Sequence, residues 1–118
     1  MLKLTNQFVF FLSSVPEPTD LEVKSITSDS ATLSYKIPSN NANITTIKAV
    51  LVNRDTGDRK EVLAPAQEPT GEIPFQGLEP GTEYFFQVKT MAIGNRNSDY
   101  ESSDPFKTGE FDFILKLF

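Results

Sequence analysis

The side chains of this chain that could do chemistry are carboxylates, amides, hydroxyls and a few cations, because the sequence contains no histidine and no cysteine. Without histidine the commonest general base and metal ligand are missing, and a Ser-His or Cys-His nucleophilic pair is excluded. Without cysteine there is no disulfide, no thiolate metal site and no signal of redox compartment. Asp99, Glu101 and Asp104 lie close together and are of the residue type that makes calcium sites or hydrolytic pairs. Calcium wants about six to eight converging oxygens, and a hydrolytic pair wants a cleft. The sequence offers neither context, so these three read as a solvated acidic edge. Arg54, Arg59 and Lys60 cluster with Asp55 and Asp58 between them, which reads as a solvated turn. Asn43-Ile44-Thr45 has the acceptor pattern for N-glycosylation in or beside a polar loop, a pointer towards an extracellular compartment. No catalytic residue, metal ligand set or cofactor is expected, and the chain reads as a non-enzyme.

With 118 residues, 38% hydrophobic and 23% charged, one domain with one core is expected, large enough to be stable without a covalent staple. A net charge of -5 argues against nucleic acid, which needs a basic face to displace phosphate counterions. The richest apolar stretch, Phe8 to Leu12, falls far short of the roughly 20 residues that span a bilayer, so no membrane insertion is expected. The remaining partner class is protein.

Whatever positions these residues is built from short β-branched and aromatic runs ended by Pro, Gly, Asn or Asp, with no sustained helical period. Strands are expected at Leu21 to Ile26, Ala31 to Ile37, Thr45 to Asn53, Arg59 to Ala64, Glu72 to Phe75, Tyr84 to Ile93 and within Tyr100 to Thr108. In the second, Ala31, Leu33, Tyr35 and Ile37 alternate with polar residues, and in the sixth Tyr84, Phe86 and Val88 do the same, so each shows one buried face. Asp55-Thr56-Gly57-Asp58 is a hairpin loop in which Gly57 supplies the positive φ. Pro74 and Pro105 lack the amide a central strand needs and place their strands at edges. Seven short strands with regular turns predict an all-β, two-sheet sandwich.

At this point the residues resemble the fibronectin type III family. The most specific piece is Leu78-Glu79-Pro80-Gly81-Thr82-Glu83-Tyr84, and Pro16-Glu17-Pro18, Ala31-Thr32-Leu33-Ser34-Tyr35 and Lys107-Thr108 support it in order along the chain. Leu78, Pro80, Gly81 and Tyr84 would form a corner in which the tyrosine hydroxyl returns to backbone a few residues upstream. Two positions depart from the family: Tyr35 stands where a tryptophan is usual, and Ile47 where a tyrosine is frequent. The resemblance implies a fibronectin type III domain over residues 16–108 with immunoglobulin-like topology. One sheet would hold the strands at Leu21, Ala31 and Glu72, and the other those at Thr45, Arg59, Tyr84 and Tyr100.

If Ile47, Ala49 and Leu51 point inward, Val50, Val52, Phe85 and Met91 point outward and are expected to form an apolar strip that binds protein. The loop Gly94 to Asp99, with Asn95, Arg96 and Asn97, sits where some members of the family display an Arg-Gly-Asp tripeptide, and that tripeptide is missing. The expected function is a spacer and protein-interaction module of a larger adhesion or receptor protein. The alternative is an accessory spacer of a secreted multidomain enzyme. The apolar extensions at residues 1–15 and 109–118 make a poor signal peptide and an aggregation-prone tail, respectively. They read as pieces of adjoining modules, vector-derived sequence or strands that pair with another chain. Because the family's two termini lie at opposite ends of the sandwich, the third reading means head-to-tail self-association.

Overall fold

The computed structural model describes residues 15–38 and 42–110, and within them every element is a strand. β1 (Thr19–Lys24), β2 (Ser30–Lys36) and β5 (Thr70–Gln76) form one antiparallel sheet in the order β1-β2-β5. The second sheet holds β4 (Arg59–Pro65), β3 (Ile44–Asn53) and β6 (Glu83–Ala92) side by side. The short segments β7 (Arg96–Asn97), β8 (Glu101–Ser102) and β9 (Phe106–Lys107) all pair with the far side of β6. The result is the expected two-sheet sandwich, with the seventh strand, expected within Tyr100 to Thr108, realised as the short pieces β8 and β9, and with β7 formed inside the expected loop Gly94 to Asp99.

The fragmentation beside β6 has a local cause. Ser98 and Ser103 each donate their amide to a β6 carbonyl, of Thr90 at 2.9 Å and of Phe86 at 2.8 Å. Each then accepts the amide of that same β6 residue on its hydroxyl, at 3.0 and 2.9 Å. A hydroxyl therefore replaces a main-chain carbonyl at two points. β6 loses no hydrogen bond there, and the chain alongside is free to leave the ladder. Pro105, lying between β8 and β9, has no amide to offer in any case. Pro74 stands on β5, the outer strand of the smaller sheet.

Alternation decides the core. Ala49 faces Val88 across the β3–β6 ladder and Leu51 faces Phe86, which sets the apolar faces of both strands against Leu33, Tyr35, Ile73 and Phe75 from the other sheet. Phe75 and Phe86 meet across the interior with ring centroids 4.8 Å apart, and Phe106 continues the stack to Tyr84 at 5.9 Å. These are favoured tilted and offset separations for aromatic pairs. Tyr35 and Ile47, the two departures from the family pattern, are both fully buried. Tyr35 satisfies its hydroxyl by accepting the Gln67 amide at 3.0 Å. Burial pushes its pKa above the ordinary phenol value, with the Gln67 hydrogen bond opposing, and the ring stays neutral.

Candidate functional site

The corner is assembled as its residues require. Pro80 and Gly81 reverse the chain, with Gly81 at φ 59°, a left-handed conformation that a Cβ disfavours. Tyr84 then enters the core, and its hydroxyl accepts the Glu79 amide at 3.0 Å. Leu78 is buried and donates its amide to the Asp29 carbonyl at 2.9 Å, so the corner is also tied to the bend that leads into β2. Thr108, read from the sequence only as part of the supporting pair Lys107-Thr108, completes it. Its hydroxyl accepts the Thr82 amide at 2.9 Å and donates to the Glu79 carbonyl at 2.6 Å. The corner is thus a structural lock shared by the β6 entry and the end of the seventh strand.

The outer face of the larger sheet corrects the expected strip. Val50 and Val52 do point outward, paired with Gln87 and Phe85 respectively, yet they are 0% and 8% exposed. The covering comes from long polar neighbours. Lys48 reaches Glu61 at 3.4 Å, and Arg59 reaches Gln87 at 3.3 Å. Glu61 and Gln87 are the residues directly opposite Val50 on either side, so these pairs lay their aliphatic stems over the valine. Lys89 sits 4.9 Å from the Tyr100 ring centroid, and the Tyr100 hydroxyl, then Glu61, raises the pKa of Lys48. Only Phe85 and Met91 of the four remain partly open, and they stand at the two ends of β6. No contiguous strip exists. Because Val52 is enclosed, Val52→Asp is expected to lower stability by about 2 kcal/mol, the cost of a poorly solvated polar group. Urea unfolding measures it, and a variant as stable as the parent would contradict the burial.

The other end of the sheet gathers more. Gly94 and Asn95, with φ of 83° and 60°, turn the chain after β6, and Arg96 and Asn97 fold back onto it as β7, with Asn97 opposite Met91. Arg96 donates to the Ile93 carbonyl at 3.2 Å and to the Ala42 carbonyl at 2.9 Å, bracing this turn against the segment that leads into β3. Asn95 and Asn97 are exposed, Met91 is half-buried, and Ile93 between them is 61% exposed. The sequence reading missed Ile93, because a single apolar residue at a strand end carries no distinguishing pattern. Asn43 lies at the same end. It is exposed, has φ 60° and accepts the Ile93 amide on its carbonyl at 3.3 Å.

The remaining candidates do not converge. Among the described residues no group of three acidic, histidine or cysteine side chains is placed to hold a metal ion. Arg54, Arg59 and Lys60 are drawn to three different partners, Glu83, Gln87 and the Gln76 carbonyl. Asn53, at the other side of this hairpin, was not singled out by sequence, yet its side-chain oxygen accepts the amides of Asp55 and Thr56 at 2.8 and 3.1 Å and shapes the turn. The two chain ends leave from opposite ends of β6. Thr90 donates its hydroxyl to the Pro16 carbonyl at 2.7 Å, whereas Gly109 bonds Thr27 and Gly81 beside the corner. Residues 1–14 and 111–118, which hold most of the two apolar extensions, lie outside the described residues.

Comparison with known proteins gives one consistent family. The family model described as "Fibronectin type III domain" matches residues 16–108. The fold is similar to that of the fn3 domain of the human collagen alpha-1(XX) chain, with TM-score 0.70, 20% identity and coverage of 84% of this chain and 90% of that one. It is likewise similar to a crystal structure of the FN3 domain of human collagen XX, with TM-score 0.64, 23% identity and coverage of 80% and 92%. A computationally redesigned β-sandwich protein matches with TM-score 0.66, 22% identity and coverage of 82% and 93%. At these identities the solved structures establish fold alone. The comparison with curated protein sequences finds no match.

Proposed function

The chain belongs to the fibronectin type III family, and from that premise we propose that it is a non-catalytic spacer and protein-interaction domain of a larger, extracellular adhesion- or receptor-type protein. Domains of this family are generally modules of multidomain proteins, structural or binding in role, and commonly occur outside the cell. Two observations support the finer reading. The chain ends depart from opposite ends of β6, the arrangement that lets such a domain hold its neighbours apart. The observation that carries the binding role is the Arg96 brace. A turn closed on itself through the Ile93 carbonyl and fixed to a second segment through the Ala42 carbonyl presents Met91, Ile93, Asn95 and Asn97 in one conformation, and a preorganised surface loses less entropy on binding.

Phe85 belongs to the same face but stands at the far end of β6, and is proposed as a peripheral contact. Val50 and Val52, enclosed by their neighbours, are not part of the surface. The test is the combined variant Ile93→Asp with Asn97→Ala in the intact parent protein, with partner binding measured by calorimetry. Loss of an apolar anchor at an interface centre is expected to weaken binding about 30-fold or more. Undiminished affinity in a folded variant would remove the turn from the binding surface.

A further inference from the structure

Among the described residues four strand edges border the sandwich, and three are protected in recognisable ways. β1 carries a register shift between Thr19 and Glu22. β5 has Pro74, and the far side of β6 is closed by three broken segments. Bulges, prolines and short irregular strands are the ordinary devices against edge pairing. β4, the end strand of the larger sheet, has none of them along Arg59 to Ala64; Pro65 closes it, and its charges, Arg59, Lys60 and Glu61, are confined to its first half.

The phase of its hydrogen bonds follows from its flanks. Asn53 donates to Asp58, and Ala66 to Thr45, so Lys60, Val62 and Ala64 turn their amides and carbonyls to β3. Arg59, Glu61 and Leu63 then turn theirs to the open side. Leu63 is 61% exposed on the outer face. On the inner face Val62 and Ala64 are only partly buried at the rim of the core. Among the described residues this edge has backbone groups with no partner strand, an exposed leucine and an incomplete apolar rim, which is what an added strand requires.

We propose that β4 is the acceptor for the segment Phe111 to Phe118 of a second copy of this chain, added as an antiparallel strand. The segment is eight residues long, next to the seven of β4, and in one register its chemistry fits. With Leu63 opposite Ile114, Glu61 lies opposite Lys116 and Arg59 opposite Phe118, so an apolar pair and an ion pair form on the outer face. Phe113, Leu115 and Leu117 then fall on the inner face, where they extend the rim begun by Val62 and Ala64. The same chain cannot supply this strand. Its described part ends at Glu110, beside Gly81 and Lys107, at the edge opposite β4, with β6 and β3 between. Crossing the sheet takes about 14 Å, and the antiparallel register begins at Pro65, a further strand length away. At about 3.5 Å per residue, the whole segment would be consumed before pairing began.

The test uses the full chain. Light scattering over a concentration series is expected to show association into dimers or longer series. Leu63→Pro removes only an amide that faces outward, so the melting temperature is kept while association weakens about tenfold or more. Glu61→Lys and Lys116→Glu, each alone, are expected to weaken association, and the two together to restore it to within about threefold of the parent. A chain that stays monomeric at every concentration overturns the proposal. So does association unchanged by Leu63→Pro, and a charge exchange that fails to rescue overturns the register.

Discussion

Tyr84→Ala is expected to destabilise the sandwich by about 3–5 kcal/mol, the range for removing a buried aromatic side chain, and to leave a large part of the population unfolded if total stability lies in the usual range of about 5–15 kcal/mol. Two losses combine. The ring is buried and stacks on Phe106 with centroids 5.9 Å apart, so its removal opens a void at the junction of both sheets. The hydroxyl is the acceptor for the Glu79 amide, and that amide is left without its partner. Tyr84→Phe separates the terms, since it keeps the ring and removes the oxygen. Its expected cost is about 1–3 kcal/mol, the penalty of stranding one part-buried donor. Chemical unfolding of both variants reads the two numbers, and a phenylalanine variant as stable as the parent would mean the hydroxyl contributes nothing to the corner.

Gly71→Ala is expected to cost about 3 kcal/mol, at the upper end of the usual overpacking range, although the substitution adds one methyl and raises β propensity. Gly71 is paired directly with Tyr35 across β2 and β5, and a Cβ there would overlap the hydroxyl end of the Tyr35 ring. The ring cannot yield freely, because its hydroxyl is bonded to the Gln67 amide and the Gln67 side chain in turn accepts the Glu72 amide at 3.2 Å. A double-mutant cycle with Tyr35→Val tests the cause. Once the ring is absent the nearest remaining obstacle is the Gln67 side-chain oxygen, the far end of a flexible side chain, and the penalty at position 71 is expected to shrink by more than about 1 kcal/mol. Additive costs would show that Tyr35 is not what excludes a side chain from this position.

Much of this architecture was legible because it rests on local pattern. Alternation in Ala31 to Ile37 and in Tyr84 to Val88 named the inner faces, the two sheets were composed as expected, and the Pro80-Gly81 turn before Tyr84 is the motif that the fold realises. The misjudgement at Val50 and Val52 has a clear physical origin. Period-2 alternation reports which side of a sheet a residue faces, not what lies over it, and the cover here comes from Lys48, Glu61, Arg59 and Gln87 on three strands. Asn53, Ser98 and Ser103, and the bonding role of Thr108, were missed for a related reason. Each replaces a main-chain partner with a side-chain oxygen, and in a sequence such residues look like ordinary turn composition. The Arg96 brace depends on residue 42, far away along the chain, and no local pattern could report it.

The Thr90 hydroxyl bonded to Pro16 fastens the incoming chain near the end of β6, while the Thr108 hydroxyl bonded to Glu79 and the Gly109 amide bonded to Thr27 fasten the outgoing chain to the turns beside its start. A pull on the two ends of the domain would therefore be met first by hydrogen bonds at opposite ends of the sandwich, outside its aromatic interior.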